Sequence, residues 1–88
     1  MIGSFLVNPE NQVAFAQFDL PKKLASLRVV PGPCCIAVLA DGTEEMFTDE
    51  LHSKILAAMK GKSEILVAHV GEDGKALEEY VVPLSIDL

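Results

Sequence analysis

Between Cys34 and Val82 the chain alternates apolar runs with two Asp-Gly pairs and one amphipathic stretch, which restricts it to a hairpin, a helix and a second hairpin in that order. Cys34 to Ala40 is wholly apolar, and the following Asp41-Gly42 is the preferred pair for a two-residue type I′ turn, whose central positions both need positive φ. Thr43 to Phe47 then reads as the return strand. Thr48 offers an N-cap oxygen, Asp49 and Glu50 suit the positive end of a helix dipole, and Lys60, Gly61 and Lys62 carry the C-terminal signals. A helix is therefore expected from about residue 49 to 60. Leu51, Ile55, Ala58 and Met59 share one stripe of it, whereas Glu50, Ser53, Lys54 and Ala57 fall elsewhere. Ser63 to Val70 is again nearly all apolar, Asp73-Gly74 turns the chain into Ala76 to Val82, and Pro83 is expected to end the pairing.

The N-terminal part is less patterned. Phe5 to Val7 and Val13 to Ala16 flank Asn8-Pro9-Glu10-Asn11, a turn-rich tetrad in which Asn tolerates left-handed geometry, and so suggest an opening hairpin. Asp19 can cap a second short helix with Pro21 in its first turn, since Leu20, Leu24 and Leu27 fall on one helical face before Pro31; a loop competes for the same residues. A shift of 32 residues matches Lys22 with Lys54, Leu24 with Leu56 and Asp41-Gly42 with Asp73-Gly74, hinting at a doubled helix-hairpin unit.

These elements define an α+β fold in a single domain over residues 1–88, an antiparallel sheet of about five or six strands with the Thr48 to Lys60 helix packed on one face. Cys34 to Ala40 and Ile65 to Val70 are apolar on both sides of their strands, so both faces of the sheet need cover. The helix covers one. The other falls to the N-terminal forty residues or to a second copy, and a homodimer is the economical expectation for a chain of 88 residues, which by itself buries only about two-thirds of its surface.

Charge narrows the function classes. The net charge is −6, and it is uneven: residues 1–40 carry three basic against two acidic side chains, and residues 41–88 carry eleven acids against four lysines. A balance of that sign argues against non-specific binding to nucleic acid or to anionic lipid, which needs a basic surface to release counterions. Lys22, Lys23 and Arg28 form the one basic spot and read either as the wet face of a short helix or as an intramolecular complement to the acidic second half, in preference to a nucleic-acid contact. The longest apolar run, Val29 to Ala40, is broken by Pro31-Gly32-Pro33 and is too short for a membrane helix. With no basic lead before the first apolar residues, the chain reads as cytoplasmic. The adjacent Cys34 and Cys35 cannot staple distant segments and are expected to be reduced, at least one of them acting as a small core hydrophobe.

Chemistry-bearing groups are few. With a two-residue turn at Asp73-Gly74, His69 pairs across from Glu78 and Val67 from Tyr80, so His69, Glu78 and Tyr80 share a face. A histidine beside a carboxylate and a phenol has the ingredients of a general base, and such a hydrolase-type site is one reading of the chain. The competing account is a structural cross-strand pair. His52, off the helix's apolar stripe, is expected to be exposed, and no metal or cofactor is expected, because adjacent cysteines lack the loop that lets two thiolates point at one ion. The leading functional expectation is a small non-enzymatic protein that self-associates and binds a protein partner with a basic surface, its acidic rim drawn from Glu44, Glu45, Glu50, Glu72, Asp73 and Glu79. The alternative is an apolar pocket for a small ligand, lined by Phe15, Phe18, Met46, Phe47 or Tyr80.

Overall fold

A computed structural model describes residues 3–20, 22–31, 34–48 and 50–87. Seven strands and one helix follow in the order β1 (Gly3–Asn8), β2 (Val13–Phe18), β3 (Leu24–Val30), β4 (Cys34–Leu39), β5 (Glu44–Thr48), α1 (Glu50–Met59), β6 (Glu64–Val70) and β7 (Ala76–Ile86). They form one sheet in the order β2-β1-β6-β7-β3-β4-β5. All neighbours are antiparallel except β3 and β7, which run parallel through Leu27↔Leu84, Arg28↔Ser85 and Val29↔Ile86. The expected antiparallel sheet of five or six strands with a helix laid on one face is therefore wrong. The sheet is mixed, it has seven strands, and it is curled.

The curl follows from where α1 lies. The helix touches β2 at one margin of the sheet and β4 and β5 at the other. A flat sheet of seven strands would hold its margins roughly 29 Å apart, about three times a helix diameter. One helix can meet both only if the sheet bends around it. Leu51, Ile55 and Met59 are the buried stripe of α1, as expected, and they join Leu6, Leu27, Val29, Leu39, Ile65, Val67 and Leu84 in a single core. Asn8 Nδ2 donates to the carbonyl of Ala58 at 3.1 Å and ties the end of β1 to the helix. Beyond Met59, Gly61 takes a φ of 81° and the Lys62 N–H donates to the Met59 carbonyl at 3.0 Å, the left-handed stop that the sequence signals. Asp49 lies outside the described residues, and so does the side chain of Thr48 expected to cap the helix.

Residues 24–30 form a strand, which corrects the expected short helix over Leu20, Leu24 and Leu27; its first-turn Pro21 lies outside the described residues. The register explains how the helical spacing arose. Leu24 pairs with Leu39 but Ser26 pairs with Val38, so Ala25 is an extra residue in a β-bulge. The bulge lets Leu24 and Leu27, three apart, both point into the core, where they are 3% and 0% exposed. With β3 a strand, the suggested doubling of a helix-hairpin unit does not exist.

The two Asp-Gly tips share one geometry, and it differs from the expected one. Gly42 and Gly74 have φ of 88° and 79°, but neither Asp41 nor Asp73 is left-handed, which excludes type I′. Each loop has three residues. The Leu39 N–H bonds the Thr43 carbonyl and the Gly42 N–H bonds Leu39, while Gly71, Lys75 and Gly74 repeat the arrangement. Asp41 Oδ1 and Asp73 Oδ1 each accept the backbone N–H two residues on, at 3.0 Å, which steadies the turn without positive φ at the aspartate. In the opening hairpin the left-handed residue is Gln12, at φ 55°, and the two asparagines instead accept the N–H groups of Glu10 and Val13.

Pro83 does not end β7. It pairs with Glu64 at the last rung of the ladder to β6, and the ladder to β3 begins one residue later at Leu84. A proline lacks the N–H that a central strand would use, and here that gap falls where one partner strand hands over to the next.

Candidate functional site

The row Ser4–His69–Glu78 runs across β1, β6 and β7 on the concave side of the sheet. His69↔Glu78 and Val67↔Tyr80 are the expected partners, although they arise differently. The three-residue tip alone would displace them by one position, and a bulge at Leu77, between Val70↔Ala76 and His69↔Glu78, restores the register. The side chains then choose other partners. His69 Nδ1 lies 2.8 Å from Ser4 Oγ, and His69 Nε2 lies 3.0 Å from the Tyr80 hydroxyl, which also accepts the Leu24 N–H at 2.8 Å. Glu78 pairs with Lys23, which also sits over the Tyr80 ring at 5.6 Å. One polar chain thus links β1, β6, β7 and β3.

Its chemistry follows from access. Ser4 is 0% and His69 is 5% exposed, and both ring nitrogens of the histidine are already hydrogen-bonded. Neither residue presents a free polar atom at the surface. Burial pushes the Tyr80 phenol above its ordinary value, with the Leu24 N–H opposing that rise, so the neutral hydroxyl is the form this environment favours. The Glu78 carboxylate raises Lys23 by hydrogen bond and by charge. The cluster acts as a clamp: the β3–β7 ladder starts only at Leu27, and the Tyr80 hydroxyl takes the Leu24 N–H that lies before it. Sequence reasoning missed Ser4, since nothing local signals that β1 will lie beside β6.

The acidic residues do not converge. Glu44 and Glu45, on β5, point to opposite faces, Glu50 opens α1 beside Lys54 at 2.8 Å, Glu72 and Asp73 sit at the β6–β7 tip, and Glu79 is on β7. The basic spot is spent within the chain, the second of its two expected roles, and no helix carries it: Lys22 pairs with Asp41 at 2.6 Å, Lys23 with Glu78 and Arg28 with Asp87 at 3.5 Å. Lys22 and the Thr43 N–H hold the Asp41 carboxyl well below the usual carboxylate range. Of the residues expected to line an apolar pocket, Phe15, Phe47 and Tyr80 pack half-buried on the core and Met46 is 68% exposed; the Phe18 side chain lies outside the described residues. Cys34 and Cys35 are free and buried, and His52 is half-exposed on α1. Among the described residues no group of histidines, cysteines and acids is placed to hold a metal ion.

The convex side of β1, β6 and β7 carries the feature that stands out. Reading across the register gives the rows Val7–Leu66–Val81, Phe5–Ala68–Glu79 and Gly3–Val70–Ala76. Eight of those nine positions are non-polar; Gly3, Val7 and Ala68 are buried, whereas Val81 is 52% and Leu77 beside them 63% exposed. This is the outer side of the strand read as apolar on both faces. No protein-family model, curated protein or solved structure matches the chain. Among the described residues no helix is long and apolar enough to cross a membrane.

Proposed function

We propose that the protein is a small non-enzymatic module that self-associates through the convex face of β1, β6 and β7. The observation that carries this is the three-row patch, where Glu79 alone interrupts an apolar face whose solvent-reaching side chains are Val81, Leu77 and the half-buried Phe5, Leu66 and Val70, with Val7 and Ala68 buried between them. Three strands and three rows cover roughly 300 Å², the size of the apolar centre of an interface that buries about 800 Å² on each partner once its polar rim is added. A second copy fits it better than a basic partner does, because the acids expected to form a docking rim are dispersed: Glu79 lies within the patch and Asp73 at its β6–β7 tip, while Glu44, Glu45 and Glu50 sit on β5 and α1. An isologous face-to-face pair brings each patch onto its own equivalent. Two free, buried thiols accord with a reducing, cytoplasmic setting.

The test is sedimentation equilibrium of the full chain across a concentration series, at low and moderate salt, for the wild type and Val81→Lys. Each copy carries a net charge of −6, so screening should tighten a pair of identical chains. Association with a basic partner would instead weaken. The expected result is a reversible dimer that strengthens with salt and is lost in Val81→Lys. A wild type that stays monomeric throughout, or a dimer that the substitution leaves intact, would overturn the proposal.

A further inference from the structure

A groove of about 500 Å³ lies where the end of α1 meets the end of β7, lined by Leu56, Lys60, Gly61, Lys62 and Ile86. That volume is in the range of small-molecule sites. Its floor is apolar: Leu56 and Ile86 both lie half-buried against the core. Its rim is cationic, in a chain whose net charge is −6. Lys62 is held by Glu10, whereas Lys60 has no ion-pair partner among the described residues. Of the acids close in sequence to the lining, Glu64 lies with Lys62 and Glu10 around a neighbouring depression and makes no ion pair among the described residues, and Asp87 is engaged by Arg28 and by the Ser85 hydroxyl. Lysines after a helix ordinarily place their charge near its terminal carbonyls, and here the Met59 carbonyl already takes the backbone N–H of Lys62. An apolar floor beneath them is not part of that role. Gly61 adds room, because at φ 81° it holds the bend and a Cβ there would meet nothing within 4 Å.

We propose that this groove binds a small amphipathic carboxylate, its alkyl or aryl part on Leu56 and Ile86 and its charged end on Lys60, with Lys62 as a second cation. The groove lies away from the convex patch, so the site is independent of self-association. Glu10 is an internal competitor. A bound carboxylate and Glu10 seek the same ammonium, and removing the glutamate charge should therefore tighten binding.

The experiment follows backbone amide shifts of the full chain titrated with octanoate, and in parallel with octylamine, which has the same tail and the opposite charge. Octanoate is expected to give saturable shifts at Leu56, Lys60 to Lys62 and Ile86, while octylamine gives none there. Lys60→Gln should weaken octanoate about fivefold, the size of one exposed ion pair, and Glu10→Gln should strengthen it by a similar factor. Both substitutions are at solvent-facing side chains, so unchanged shifts elsewhere verify the fold. Equal binding of octylamine, octanoate shifts centred on other residues, or affinities indifferent to both substitutions would overturn the assignment.

Discussion

Replacing Tyr80 by Phe tests the clamp with one atom. The substitution keeps the ring against the core and removes the hydroxyl that accepts the Leu24 N–H at 2.8 Å and bonds His69 Nε2 at 3.0 Å. A buried polar group left without its partner costs about 1–3 kcal/mol, and two groups are orphaned here. His69 and Leu24 are both nearly sealed from water, but Tyr80 is half-exposed, so water can take part of the space its hydroxyl leaves. The expected loss is therefore about 2 kcal/mol rather than twice the single-group maximum. For a domain of this size, with a urea slope of about 1 kcal/mol/M, the midpoint should fall by about 2 M, and the melting temperature by roughly 10 °C. Urea unfolding followed by circular dichroism at fixed protein concentration measures it. Ser4→Ala probes the far end of the same chain, and in a double-mutant cycle it should couple to Tyr80→Phe by more than about 0.5 kcal/mol. A loss below about 0.5 kcal/mol for Tyr80→Phe, or strict additivity with Ser4→Ala, would refute the view that the four strands are joined by one polar chain.

Two further outcomes rest on burial. Tyr80 is the chain's single tyrosine and there is no tryptophan, so absorbance at alkaline pH reports that phenol alone. Its folded value is raised above 10.0, which places its contribution to stability fully below about pH 10 and removes it as pH rises through the folded value. Titration at the ordinary value in the native protein would contradict this. Burial, and then the charge of Cys34, push the Cys35 thiol up to about 11, so its contribution is likewise complete below pH 9 and lost toward pH 11. In a Cys34→Ser variant, alkylation at pH 8 should proceed only as fast as the protein opens; labelling as rapid as in urea would show that Cys35 is not sealed.

Local chemistry made much of the chain legible. The 3.6-residue stripe of Leu51, Ile55 and Met59, the left-handed Gly61 that stops the helix, and the Asp-Gly pairs that place two hairpins all depend on neighbours in sequence. So does the meeting of His69 with Glu78 and of Val67 with Tyr80, although a three-residue loop and a compensating bulge produced it in place of a tight turn. The rest depends on which segments meet. Residues 24–30 became a strand because β4 and β7 offer backbone partners on both sides, and a bulge at Ala25 disguised that strand with the leucine spacing of a helix. The parallel pairing of β3 with β7, the bend that brings both sheet margins to α1, and the arrival of Ser4 beside His69 each join residues more than fifty positions apart or opposite ends of the sheet. No period or turn motif records such distances, since hydrogen bonding across strands is indifferent to the sequence between them. The sequence by itself determined the hairpins, the helix and the apolar character of β6 on both faces; only the tertiary structure decided that one of those faces closes a core around α1 and that the other, with Ala68 buried and Leu66 and Val70 half-buried, lies on the convex side.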